Sequence, residues 1–138
     1  MTLTEDNLAA VCKEIQHLDT SVRFVGIANN RGTLIATAYR NGLVPLMNKE
    51  ETSHYAIQAV LRAAIREDFE LKIGRLEYSI GKYQKLIRAT IPIRFSEGDE
   101  SKFYLLLSFD LESSVVADVI ERKILPFMTE IRHYIKID

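Results

Sequence analysis

Little in this chain invites chemistry. Of its 138 residues none is tryptophan and one is cysteine, Cys12. A lone cysteine excludes an internal disulfide and fits a reducing compartment. The histidines are His17, His54 and His133, and no His-x-x-x-His or Cys-x-x-Cys spacing occurs. No metal-ligand cluster is therefore expected. There is no Gly-x-Ser-x-Gly elbow, and His17 and His133 fall near opposite ends of the chain. A nucleophile, a base and an orienter are not expected to meet. No apolar run approaches the ~20 residues of a membrane span. The polar, acidic opening Met1-Thr2-Leu3-Thr4-Glu5-Asp6 is unlike a signal peptide. Basic and acidic side chains nearly balance, leaving a formal net charge of -1. That gives no whole-molecule attraction to nucleic acid or anionic membrane. The expectation is a cytoplasmic, non-enzymatic protein without cofactor or metal.

What is present is core-forming. The apolar fraction is 47% and the charged fraction 27%, ordinary values for a globular chain, and the length suits one domain over residues 1–138. The most organised stretch is residues 22–39. Val22-Arg23-Phe24-Val25-Gly26-Ile27-Ala28 and Thr33-Leu34-Ile35-Ala36-Thr37-Ala38-Tyr39 flank the polar turn Asn29-Asn30-Arg31-Gly32. Asn and Gly tolerate the positive φ that closes such a turn, so this is a hairpin. Counting from the turn places Val25 and Ile27 with Leu34 and Ala36 on one face. Phe24, Gly26 and Ala28 then share the other with Ile35 and Thr37. Both faces are apolar and need cover.

Helical spacing predicts the cover. Leu8, Val11, Cys12 and Ile15 make one stripe over residues 4–17, capped by Thr2 or Thr4. Cys12 on that stripe reads as a small buried hydrophobe rather than a reactive thiol. A second helix should run from Asn48 to about Asp68, with Asn48 and Glu51 forming a capping box. Its inner face is expected to be Ile57, Val60, Leu61, Ala64 and Ile65, with Ala56, Ala59, Ala63 and Tyr55 on a neighbouring face. Phe69 and Leu71 are expected to return the chain to the core. The last helix should start at Ser113 or Ser114 and bury Val116, Val119, Ile120, Ile124, Phe127, Met128, Ile131 and Ile135. Pro126 inside it predicts a kink or break.

Three further strands are legible. Leu76, Tyr78 and Ile80 alternate with polar residues, Gly81-Lys82-Tyr83-Gln84 turns, and Ile87, Ala89, Ile91 and Ile93 return. A turn centred on Lys82-Tyr83 sets Tyr78 opposite Ile87 and Glu77 opposite Arg88. After the acidic loop 96–101, Phe103-Tyr104-Leu105-Leu106-Leu107-Ser108-Phe109 is apolar on both sides and belongs in the middle of a sheet. The order is α-β-β-α-β-β-β-α: an α+β fold with a five-stranded antiparallel sheet and helices on its faces.

That order, together with the apolar strand, polar turn ending in Gly32 and second apolar strand of the first hairpin, resembles roadblock/LC7 domains and the related longin-like and profilin-like domains. The chain also resembles small proteins of ammonia-oxidising archaea. The roadblock resemblance implies sheet order 2-1-5-4-3, with the first and last helices on one face and the second helix on the other. It further implies homodimers or heterodimers joined through the second helix and third strand, and a scaffolding or regulatory role beside small GTPases. On this sequence the implied interface carries Tyr55, Ala59, Arg62, Arg66, Arg75, Glu77 and Arg88. PAS- and GAF-type sensors also use five-stranded antiparallel sheets. That alternative needs a ligand pocket, for which the available aromatics are Phe24, Tyr78, Tyr104 and Phe109.

The remaining candidates are local. Arg62 and Arg66 lie one turn apart on the second helix, and with Arg75 and Arg88 they form a candidate anion or partner site. The competing account is a solvated face with Glu77 pairing Arg88. Lys82, Tyr83 and Lys85 put basic residues beside an aromatic, as single-stranded nucleic-acid sites do, but three residues in a net-acidic chain read as an ordinary exposed turn rather than a nucleic-acid site. Glu51 and His54 are three apart on a helix, where capping accounts for Glu51. Gly81-Lys82 joins two strands and lacks phosphate-loop spacing. The acidic residues 97–100 read as a solvated turn rather than a cation site.

Overall fold

The computed structural model describes residues 5–94, 103–112 and 115–132. Helix α1 (Glu5–Gln16) leads to strands β1 (Val22–Asn29) and β2 (Leu34–Tyr39), then to helix α2 (Lys49–Arg66). A tight turn at Glu67–Phe69 and the short α3 (Glu70–Ile73) follow, then β3 (Ser79–Lys82), β4 (Ile87–Ile93) and β5 (Phe103–Phe109). The chain finishes with α4 (Val116–Val119), a π-helical segment (Ile120–Ile124) and α5 (Leu125–Arg132). The strands form one antiparallel sheet in the order β2-β1-β5-β4-β3. The apolar strand β5 is central, as its two greasy sides require. The candidate caps Thr2 and Thr4, the acidic loop 96–101, the helix start at Ser113 or Ser114, and His133 and Ile135 lie outside the described residues.

Two cores sandwich the sheet. On one face Leu8, Val11, Cys12 and Ile15 of α1 meet Val25, Ile27, Leu105, Leu107 and Phe109 of the sheet, and Val116, Val119, Ile120, Ile124 and Met128 of the last helical run. On the other, α2 lies over Phe24, Ala28, Tyr104 and Leu106. Cys12 is fully enclosed, and burial pushes its thiol up to about 12. It is a packing residue. Pro126 has no N–H to give its turn. The π-helical segment directly before it loosens the ladder, so the helical run carries on through α5 instead of breaking.

The first hairpin closes as its turn predicts. Asn29 Oδ1 accepts from the Arg31 and Thr33 amides, and the Gly32 amide donates to the Asn29 carbonyl at 3.0 Å. Gly32 has φ +85°. A β-bulge corrects the expected register beyond the turn. Ile27 pairs with Ala36 but Ala28 pairs with Leu34, so Ile35 is the extra residue. Leu34 therefore packs with Phe24 and Ala28, and Ile35 joins the α1 side.

The second hairpin is shorter and turns later than periodicity suggests. Gly81 is opposite Arg88 and Lys82 is opposite Ile87. The turn is residues 83–86, closed by the Tyr83 amide to the Leu86 carbonyl at 2.9 Å. The expected pairs Tyr78–Ile87 and Glu77–Arg88 do not form. The slip is an even number of residues, so each β3 side chain keeps its face while changing its partner. Residues 74–78 are irregular, and Leu76 and Tyr78 pack on opposite sides of the sheet.

Candidate interaction surface

Helix α2 carries the surface of interest. Asn48 and Glu51 close the capping box: the Glu51 amide donates to Asn48 Oδ1 at 2.8 Å, and the Asn48 amide to Glu51 Oε1 at 3.0 Å. The helix then presents two apolar stripes. Thr52, Tyr55, Ala56, Ala59, Val60 and Ala63 are buried against the sheet. Ile57, Leu61 and Ile65 are 54%, 60% and 58% exposed, and Ala64 is exposed too. The expected inner face is thus the outer one, Val60 excepted. Small residues let α2 settle close to a sheet face already filled by Phe24, Tyr104 and Leu106, which leaves no depth for three large aliphatic side chains. The approach is close enough that a Cβ on Gly32 would lie 2.6 Å from the Ile57 Cα. Phe69 and Leu71 do not return to the core either; both are exposed, as is Ile73.

The other implied interface residues divide in the same way. Tyr55 and Ala59 face the chain's own sheet. Arg62, Arg66, Arg75 and Glu77 are exposed. Arg88 does not pair with Glu77. Its guanidinium stacks on the Tyr55 ring, 3.6 Å from the centroid, lies 5.6 Å from that of Tyr83, and donates to Met47 Sδ at 3.1 Å. Arg62, Arg66 and Arg88 line one cleft with Tyr55, Ser79, Tyr83 and Thr90, between α2 and the β3–β4 hairpin. Arg75 is not among its lining residues. Burial pushes the Tyr55 phenol up, while the Arg88 and Arg62 charges beside it pull the other way. Beyond this cleft, β3 is the edge strand among the described residues, with no described strand beside its outer backbone groups.

Two carboxylates just past the end of α2, Glu67 and Glu70, are engaged by Arg94. Arg94 Nη2 donates to Glu70 Oε2 at 2.7 Å and lies 3.6 Å from Glu67 Oε1, tying the end of α2 to β4. At the far end of the sheet Asp110 accepts from Arg40 at 2.6 Å and from Arg23 at 3.3 Å. The Arg40 guanidinium, then that of Arg23, holds the Asp110 carboxyl below its usual range. Both sites are structural clamps.

Similarity to solved structures decides what this scaffold is. Myxococcus xanthus MglB matches with a TM-score of 0.68 at 16% identity, over 94% of this chain and 88% of that one. A roadblock/LC7 domain from Streptomyces avermitilis matches at 0.65 and 9% identity, over 91% and 95%. The fold is that of roadblock/LC7 domains. The gliding protein MglB from Thermus thermophilus matches at 0.61 and 14% identity, over 80% and 78%. No protein-family model matches the chain, and no curated protein matches it in sequence.

The roadblock/LC7 scaffold separates the aromatics that a sensor pocket would need. Phe24 and Tyr104 belong to the α2 side, whereas Phe109 and Tyr78 pack on the α1 side. A sheet lies between the two pairs, so the four cannot line one cavity. His54 is exposed beside Gln58, and His17 Nδ1 lies 2.7 Å from the Lys13 carbonyl at the end of α1. Among the described residues no cluster of three His, Cys, Asp or Glu side chains could hold a metal, and no helix is long and apolar enough to cross a membrane. Lys82, Tyr83 and Lys85 are exposed at the second turn, where Tyr83 leans toward Arg88. The outer stripe of α2 was the feature hardest to read from sequence. Its signal was there in the four-residue steps Ile57, Leu61, Ile65, Phe69 and Ile73, which continue past the helix end.

Proposed function

We propose that this chain is a non-enzymatic interaction module that pairs as a homodimer through the outer face of α2 and the β3 edge, and in that form regulates a protein partner such as a small GTPase in the cytoplasm. One observation carries the reading: α2 buries one apolar stripe and leaves a second, Ile57, Leu61 and Ile65, facing outward. A helix apolar on both sides has cover on both sides. A second copy supplies that cover with an identical stripe, as a two-fold interface requires. Each fully covered aliphatic side chain contributes about 1.5–3 kcal/mol. Arg62, Arg66, Arg75 and Glu77 then fall at the margin, where charge tunes encounter more than affinity. Tyr55 and Ala59 act from beneath, by setting the depth of α2.

The structural neighbours support assembly in kind, since one solved MglB is described as having a tetrameric arrangement. The GTPase partner rests on the roadblock resemblance. The archaeal affinity rests on sequence resemblance alone, the solved structures cited above coming from Myxococcus, Streptomyces and Thermus. Light scattering on a sizing column tests the pairing. The expected result is twice the chain mass at high micromolar concentration, reverting to a single mass in a Leu61→Asp/Ile65→Asp variant. A wild-type chain that stays monomeric at that concentration removes the reading.

A further inference from the structure

The cleft between α2 and the β3–β4 hairpin concentrates positive charge, and no carboxylate is among its described lining residues. Arg62, Arg66 and Arg88 line a cavity of about 90 Å³. Among the described residues none of the three forms an ion pair with a carboxylate; the pairs formed by arginines involve Arg23, Arg40, Arg94 and Arg122. Arg62 and Arg66 stand four apart on one helix, where like charges repel. Glu70, four residues beyond Arg66, is the natural counter-charge on this side, and it is taken by Arg94. The chain as a whole is not basic, with a net charge of -1, so the concentration is local.

The cleft is also organised for hydrogen bonding. The Arg88 guanidinium lies over the Tyr55 ring, with the Tyr83 ring farther off at 5.6 Å, and its Nη2 donates to Met47 Sδ. Stacking uses the face of this planar fork while leaving N–H groups at its edge. Gly81, directly opposite Arg88 in the hairpin, brings no side chain to crowd it. The Ser79 hydroxyl lies 3.5 Å from Arg66 Nη1, and Tyr55, Tyr83 and Thr90 line the same space. A guanidinium donates and never accepts. The ligand must then be an acceptor on several sides and carry more than one negative charge. A single carboxylate offers two coplanar oxygens and one charge. A phosphoryl group offers three oxygens in a tetrahedral array and up to two charges.

We propose that Arg62, Arg66 and Arg88 form a phosphoryl-binding site, taking either the free ion or a phosphate monoester. Arg62 and Arg66 supply exposed forks from the helix, Arg88 the stacked one from β4, and the Ser79 and Tyr83 hydroxyls complete the set. The site is complete within one chain, so it does not depend on the pairing proposed above.

Calorimetric titration of the full chain, at ionic strength held constant with sodium chloride, tests the assignment. Orthophosphate, pyrophosphate, adenosine monophosphate and acetate are the probes. Saturable one-to-one binding of a phosphoryl probe, with none of acetate, is expected. Tighter binding of the monoester assigns the site to a carried phosphoryl group, and equal binding to the free ion. Arg62→Gln and Arg66→Gln each weaken binding about tenfold, the loss of one charge-assisted partner. Both replace exposed helix residues and fold normally. Without phosphate their melting temperatures stay level or rise, because a like-charge pair is relieved. Arg122→Gln, on the far side of the sheet beside Asp118, leaves binding unchanged. Absence of saturable binding by every phosphoryl probe overturns the assignment, as does binding that Arg66→Gln leaves intact.

Discussion

One face of the sheet is covered by α1 and the α4–α5 run, the other, among the described residues, chiefly by α2. The first cover is built from interdigitated Leu, Ile, Val, Phe and Met. The second is built from alanines against aromatics, with arginines along its margin and large aliphatics turned away. The contrast shows where the bulky apolar groups are lodged on each face. The α1 face buries its bulky groups and leaves α1 and α4–α5 amphipathic in the ordinary way. The α2 face withholds bulk from the core and displays it outside. Residues that would add to folding stability are instead placed where another surface can meet them.

The largest expected effect breaks the first face. Ile120→Ala empties a fully buried site between the π-helical segment and the sheet. It should cost about 2–5 kcal/mol in urea unfolding. An equivalent loss from Leu61→Ala in a monomeric background would erase the contrast between the faces. Next comes the junction of hairpin and α2. Gly32→Ala adds a Cβ at positive φ and within 2.6 Å of the Ile57 Cα. A cost of about 1–3 kcal/mol is expected, because backbone must move to admit it. Asn48→Ala removes one half of the capping box and should cost about 1 kcal/mol, read from the same unfolding curves.

A pH profile sharpens the comparison at the sheet end. Arg40, then Arg23, holds the Asp110 carboxyl below its usual 3.8 in the folded chain. A group lowered on folding contributes stability above its unfolded value and loses it as pH falls through the folded one. Melting temperature should therefore fall steeply below about pH 4. Arg40→Gln should lower the plateau at neutral pH and flatten that acid limb. The smallest effect belongs to the outer stripe. Leu61→Gln should change monomer stability by no more than about 0.5 kcal/mol, while sedimentation shows the loss of pairing.

The layers were legible because alternation reports which side of a strand is apolar. Phe103 to Phe109 reads as central on that ground alone, and the centre is where β5 lies. The bulge at Ile35 was not legible. It adds one residue to β2 without disturbing the apolar character of either neighbour, since Leu34 and Ile35 are interchangeable by hydropathy. The second hairpin failed for a related reason: a slip by an even number of residues keeps every side chain on its face, so the pattern fits both registers. Of the arginine cleft, Arg62, Arg66 and Arg88 could be picked out by charge and spacing. Arg75 could not be excluded until the irregular path of residues 74–78 was known.

Local pattern was enough for the element order, the capping box at Asn48 and Glu51, the closed turn at Gly32 and the burial of Cys12. Each of these depends on neighbours within a few residues or on a single periodicity. Which stripe of α2 faces inward depended on the depth left above Phe24, Tyr104 and Leu106, side chains from strands far apart in the chain. The outward stripe of Ile57, Leu61 and Ile65 is the more hydrophobic by residue type, so volume overrode hydropathy, and volume is a property of the assembled layers.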